Sequence, residues 1–141
     1  MSEPTVHASL KTTVRYRVDL TDGSHQWHAD EPVTLGGGDT GPTPHHLLLS
    51  ALGACTAITV TMYAQRKQSK LEGVEVELRV VEEKLSPAPA QTHIARDIRL
   101  SGDLSDAERA RLLEIANVCP LHKILSGEIT IDSRLVDALS A

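Results

Sequence analysis

Apolar and polar residues alternate from Thr12 to Leu20, with Val14, Tyr16, Val18 and Leu20 on one side and Arg15, Arg17 and Asp19 on the other. A period of two is the pattern of a half-buried strand. Thr21-Asp22-Gly23-Ser24 has turn composition, so His25 to Ala29 is predicted to return as the second strand of a hairpin. Asp30-Glu31-Pro32 ends that strand, and Gly36-Gly37-Gly38-Asp39 predicts a flexible loop. The pattern then changes. Thr43 at an N-cap and Pro44 at the first helical position make a helix start. From Leu47 to Ala64 the chain is almost wholly apolar or small, which predicts a helix from Pro44 to about Lys67, roughly 35 Å long.

Beyond that helix, Val74 to Val81 alternates again, with Glu75, Glu77 and Arg79 facing away from Val74, Val76, Leu78 and Val80. A loop with Pro87 and Pro89 separates it from Ile94 to Leu100, the expected partner strand. Ser105, with Glu108 three residues later, forms a capping box that opens a second helix. Leu112, Ile115, Ala116 and Cys119 share one face of it. Pro120 breaks that helix, Leu121 to Leu125 predicts a short third one ending near Gly127, and Glu128 to Ile131 reads as a last strand. Strands, helix, strands, helix and short strand predict an α+β domain, with its helices on one face of an antiparallel sheet. The 141 residues suit a single domain over 1–141.

The long helix is close to a membrane span in length. Ser50, Gly53, Thr56, Thr59 and Thr61 dilute its apolar character, and no aromatic belt flanks it. This composition predicts a helix buried nearly all round, with no membrane partner. One small chain has too little surface to cover such a helix, so a second copy is expected to cover part of it, as a homodimer.

Composition narrows the function. The net charge is −5, no basic stripe occurs, and aromatics are only 2% of the chain. Neither phosphate-backbone binding nor base stacking has support, so no nucleic-acid partner is expected. Met1 to Leu10 lacks the basic and apolar blocks of a secretory signal, so the expectation is a reducing, cytoplasmic setting. There, the two cysteines are either inert core residues or chemically active thiols. Cys55 sits in Ala51-Leu52-Gly53-Ala54-Cys55-Thr56-Ala57, on a face with Leu48, Leu52, Thr59 and Met62. Its small neighbours leave room for a reactant or a partner backbone. Cys119-Pro120 places the second thiol at a helix junction with His122 nearby, where a thiolate is favoured.

Seven histidines raise the question of a metal, but His45 and His46 are adjacent, and His25 and His28 are spaced to opposite strand faces. No metal-ligand spacing such as C-x-x-C or H-E-x-x-H occurs, so no metal site is assigned. Serine-hydrolase and phosphate-loop motifs are absent too.

Two cysteine-centred blocks carry a resemblance. Asp30-Glu31-Pro32, Gly36-Gly37, Gly41-Pro42-Thr43-Pro44 and Leu47 through Thr56, followed by Gly102-Asp103-Leu104 and Leu112 through His122, resemble the OsmC/Ohr family, in its YhfA-like branch. The resemblance spans about Val14 to Ile131. It implies an OsmC-like fold, an antiparallel sheet with a long buried central helix, in an intertwined homodimer. It further implies a thiol-dependent peroxidase acting on organic hydroperoxides or hydrogen peroxide, with Cys55 the attacking and Cys119 the resolving cysteine. An external dithiol would restore the thiols, and no cofactor is implied. Active family members carry a Glu about ten residues before the attacking cysteine, paired with an Arg. Here that stretch is Pro44-His45-His46. His45, His46 and His122 are supporting candidates, as is Arg17, with Arg15 as its alternative. The missing Glu keeps a second reading open: a non-enzymatic dimer that binds a small apolar molecule near Cys55.

Overall fold

Residues 3–137 are described by a computed structural model. They form β1 (His7–Leu10), β2 (Val18–Thr21), β3 (Gln26–Ala29), α1 (Pro44–Arg66), β4 (Leu71–Lys84), β5 (Gln91–Gly102), α2 (Asp106–Ala116) and α3 (Pro120–Ser126). Met1 and Ser2 of the expected N-terminal stretch, and 138–141 of the expected 1–141 domain, lie outside the described residues. The strands make two sheets, β1-β2-β3 and β4-β5. By internal contacts the chain forms two compact units, one from residues up to 54 with 78–96 and one from 55–77 with residues from 97 onward.

In the first unit, the β2-β3 hairpin turns where the sequence placed it, pairing Val18 with Ala29 and Thr21 with Gln26. The strand predicted over Thr12 to Leu20 is a correction. Thr12–Val14 is a 3-10 turn, and Arg15 follows with φ of 60°. A left-handed residue reverses the chain and breaks the alternation. Val18–Thr21 then pairs on its other edge with β1, a strand the periodicity did not predict.

The Gly36-Gly37-Gly38 segment is also a correction, because it is tied rather than loose. Val33–Leu35 forms a 3-10 turn ending at left-handed Gly36. The chain then wraps a buried carboxylate, that of Asp30. Asp30 Oδ1 accepts from the amides of Glu31 at 2.7 Å and Gly38 at 3.3 Å. Its Oδ2 accepts from the Thr40 amide at 3.1 Å and the Thr40 hydroxyl at 2.6 Å. Gly37 passes so close to Glu31 that a Cβ there would lie 2.0 Å from the Glu31 carbonyl oxygen. The glycine is therefore required by packing and not by freedom of the backbone.

α1 starts as predicted: the Thr43 hydroxyl accepts from the His46 amide at 3.3 Å. Its buried positions are Leu52, Thr56, Val60 and Ala64, one every four residues. This differs from the face expected from sequence, where Leu48, Leu52, Cys55, Thr59 and Met62 were grouped: Leu48 and Met62 are exposed and Cys55 is only part-buried. A helix apolar all round carries no periodic signal to choose its inner face, so packing partners decide it.

In the second unit those partners come from α2. Val60 and Ala64 cluster with Leu112 and Ala116, flanked by Tyr63, Leu71, Val74, Ile98, Leu100, Leu104 and Ile115. The predicted capping box is present, with Ser105 Oγ accepting from the Glu108 amide at 3.1 Å and Glu108 Oε1 accepting from the Ser105 amide at 3.2 Å. Along β4, half-buried and exposed positions alternate from Val74 to Val80, as the sequence predicted. The last predicted strand, Glu128 to Ile131, does not form, and Ile131 is 82% exposed. Among the described residues this segment joins neither sheet.

Hydrogen bonding to the Thr40 hydroxyl, then to the amides of Glu31, Thr40 and Gly38, lowers the Asp30 pKa from 3.8 to about 2, against the opposing effect of burial. The folded value lies below the unfolded one, so the carboxylate stabilises the fold fully above about pH 4 and that contribution is lost as pH falls toward 2. Asp30→Asn is expected to lower Tm at pH 7 by at least roughly 2–4 °C, and to flatten the acid limb of the stability curve. Thermal melts of both proteins between pH 2 and 7 test this; parallel curves would refute the assignment.

Candidate functional site

Cys119 is the most enclosed of the candidate residues, with 0% exposure. Leu112 and Ala116 seat the inner face of α2, but the helix ends at Ala116, so Cys119 lies beyond it and not on its face as the sequence predicted, with its amide donating to the Ala116 carbonyl at 3.4 Å. Pro120 then starts α3, so Cys119 becomes the N-cap of that helix, as its sequence context predicted. Cys119 Sγ accepts from the His122 backbone N–H at 3.4 Å. The contribution of His122 seen at this sulfur is therefore its amide. The Thr56 hydroxyl of α1 lies 4.0 Å from the same sulfur.

Thr56 directly follows Cys55, so this contact docks Cys119 against the turn of α1 that carries the other cysteine. Cys55 is one residue off the buried stripe and is half-buried. Its Sγ lies 3.9 Å from the hydroxyl of Thr59, one turn along the helix. Both cysteines are thiols, with no disulfide between them. The expected vacancy around Cys55 needs a correction at one point. The space left by Gly53 is filled: a Cβ there would lie 2.8 Å from Leu78 Cδ1 of β4.

The supporting candidates have defined partners. His45 Nε2 meets Glu83 Oε1 at 2.8 Å. His46 Nδ1 meets the Thr43 hydroxyl at 2.7 Å, reinforcing the start of α1. Arg17 Nε donates to Asp19 Oδ1 at 3.3 Å, and Arg15 donates to the Gly37 carbonyl at 3.4 Å. The first turn of α1 contains no acidic residue, yet Glu83 brings a carboxylate to it from β4. Glu83 and Thr56 escaped sequence reasoning. Glu83 is one of two adjacent glutamates at the end of a strand, and Thr56 read only as a residue diluting an apolar helix.

Comparison with known proteins places this geometry in context. A family profile described as OsmC-like protein matches residues 36–134, a span holding both cysteines and both helices beside them. Protein YhfA of Escherichia coli K12 is 33% identical over 98 residues, covering 67% of this chain and 72% of YhfA. The crystal structure of an OsmC-like protein from Mycoplasma pneumoniae superposes with a TM-score of 0.74 at 19% identity, covering 89% of each chain. That of an organic hydroperoxide resistance protein, OsmC, from Legionella pneumophila gives 0.68 at 23% identity, covering 90% of this chain and 93% of the other. At these identities the structural likeness concerns the fold.

The difference in burial predicts a difference in thiol reactivity. In the native protein, iodoacetamide is expected to modify Cys55 first and Cys119 at least roughly tenfold more slowly, with the gap closing in denaturant. Peptide mapping by mass spectrometry over time reads both sites. Equal native rates would contradict the enclosed setting of Cys119.

Proposed function

Since the chain belongs to the OsmC family, in its YhfA-like branch, we propose that it is a thiol-dependent peroxidase using Cys55 and Cys119 on organic hydroperoxides or hydrogen peroxide. The observation that carries this reading is the unequal burial of two thiols on adjoining helices. The half-buried Cys55 is the one a peroxide reaches, and the enclosed Cys119 is held beside its helix turn. The Cys55 thiolate attacks the nearer peroxide oxygen, the O–O bond breaks, and an alcohol or water leaves, so that Cys55 becomes a sulfenic acid. The Cys119 thiolate then attacks the Cys55 sulfur, the S–O bond breaks, and the departing hydroxide takes up the proton lost from the Cys119 thiol and leaves as water while the disulfide forms. An external dithiol reduces that disulfide by exchange in the reducing cytoplasm. No metal or cofactor enters any step.

The carboxylate expected on α1 is supplied in this reading by Glu83, which sits against His45. The lack of an acid in the first turn of α1 also favours a second reading, a dimer that holds a small apolar molecule near Cys55 without turnover. Kinetics separate the two. With a dithiol reductant, wild type is expected to consume cumene hydroperoxide steadily and Cys55→Ser only at the uncatalysed rate. After one equivalent of hydroperoxide and without reductant, wild type is expected to hold an internal disulfide and Cys119→Ser a Cys55 sulfenic acid, read by mass spectrometry. Equal slow rates in wild type and Cys55→Ser would remove the peroxidase reading and leave the binder.

A homodimer belongs to the same proposal. The most apolar 18-residue stretch of α1, long and apolar enough to cross a membrane by composition, is only 22% buried within one chain. Ile58 is 58% and Met62 57% exposed on that helix. A second copy covering these side chains removes them from water, and each is worth roughly 1.5–3 kcal/mol when fully buried. Light scattering without detergent is expected to give twice the chain mass of 15.2 kDa. A mass of 15.2 kDa would refute the dimer, and a need for detergent would favour a membrane setting.

A further inference from the structure

Thr56 is 0% exposed in the middle of an apolar helix, where a valine of the same shape would fill the same space. A buried hydroxyl at such a position is retained at a cost unless it makes a polar contact. Its contact on the sulfur side is Cys119 Sγ, 4.0 Å away, and both atoms lie within the same compact unit. The sulfur also accepts the His122 amide at 3.4 Å. Two groups from two helices thus converge on one enclosed sulfur.

We propose that Thr56 is the positioning residue of the redox pair: its hydroxyl holds Cys119 Sγ against the Cys55 turn of α1 and donates a hydrogen bond to the Cys119 thiolate as it closes the disulfide. The inference rests on the proposed Cys55/Cys119 chemistry and assigns it a residue outside the two thiols. A thiolate has no proton, so in that state the hydroxyl is the donor whichever way the hydrogen bond runs in the thiol form. The contact then has two consequences. It favours the charged sulfur inside an enclosed site, and it fixes the rotamer from which that sulfur attacks. In the reverse step, an incoming thiolate attacks Cys55 Sγ, the Cys55–Cys119 bond breaks, and the electron pair leaves on Cys119 Sγ beside the same donor.

The test separates Thr56 from peroxidase activity by using oxidised glutathione as the oxidant. The Cys55 thiolate attacks the glutathione disulfide and releases one glutathione thiolate. Cys119 then attacks the mixed disulfide at Cys55, forming the internal disulfide and releasing the second. Acid-quenched mass spectrometry follows the mixed and internal disulfides separately. With Thr56→Val, the first step is expected to keep its wild-type rate and the closure step to slow by about tenfold, the loss of one hydrogen bond to a charged group, so that the mixed disulfide accumulates. Thr56→Ser keeps the hydroxyl and is expected to restore closure; Thr56→Ala repeats the loss should the valine fail to fold. A merely structural role would slow both steps or neither, and would not be rescued by serine.

Closure at the wild-type rate in Thr56→Val and Thr56→Ala overturns the proposal, as does failure of Cys119 to close any mixed disulfide in wild type. Normal closure with glutathione but no hydroperoxide turnover would instead refute the peroxidase reading and leave the role of Thr56 standing.

Discussion

Val60 and Ala64 on α1, and Leu112 and Ala116 on α2, are each four residues apart and are all buried in one cluster. Rows of side chains at that spacing form the ridges by which helices interdigitate, and the alanines allow the two backbones to approach. Once the rows are engaged, α2 has one rotation and one axial position on α1. Cys119 lies three residues beyond Ala116, just past the end of α2, and Thr56 lies four residues before Val60 on the buried stripe of α1. The contact between Thr56 and Cys119 therefore sits directly beyond that helix packing. The chemistry of the site inherits its geometry from the apolar core, and any slip of α2 would move the sulfur with it.

The helices were legible in the sequence because their ends are chemical. Thr43-Pro44 and the Ser105/Glu108 box each satisfy backbone amides that a helix leaves open, and Cys119-Pro120 marks the start of α3 by the same logic. The β2-β3 and β4-β5 hairpins were legible through alternation and turn composition. The failures lie where contacts distant in sequence decide the backbone. Arg15 takes a positive φ and donates to the Gly37 carbonyl, and Gly37 is pressed against Glu31 in the loop gathered around Asp30. That loop is organised by a carboxylate accepting from residues up to ten positions away, and short windows of hydropathy do not register such contacts. Glu128 to Ile131 has strand-like composition, but composition alone does not say which strand it would pair with, and it joins neither sheet.

The site was legible to a lesser depth. Both cysteines and the N-cap role of Cys119 follow from local sequence. Which face of α1 is buried does not, because almost every position on that helix is apolar or small. The structure moves the inner stripe to Leu52, Thr56, Val60 and Ala64, and so shifts Cys55 to its flank. This single displacement changes how the two thiols are read. The face expected from sequence grouped Cys55 with Leu48, Leu52, Thr59 and Met62. One residue of offset gives a reachable thiol and an enclosed one.

On the proposed reading, that inequality orders the chemistry in time. An oxidant in solution meets Cys55 first, because Cys119 has no exposed surface. Cys119 is then kept from separate oxidation and remains a thiol until the sulfenic acid forms beside it. Disulfide closure then competes with further oxidation of the Cys55 sulfenic acid. When a dithiol arrives to reverse the bond, burial acts again: it meets the Cys55 sulfur, and the departing charge falls on the sulfur that already faces the Thr56 hydroxyl and the His122 amide. The enclosed position that protects Cys119 in one direction makes it the leaving group in the other. Both effects follow from enclosing one cysteine between α2 and α3, against the buried stripe of α1, and leaving the other one residue off that stripe.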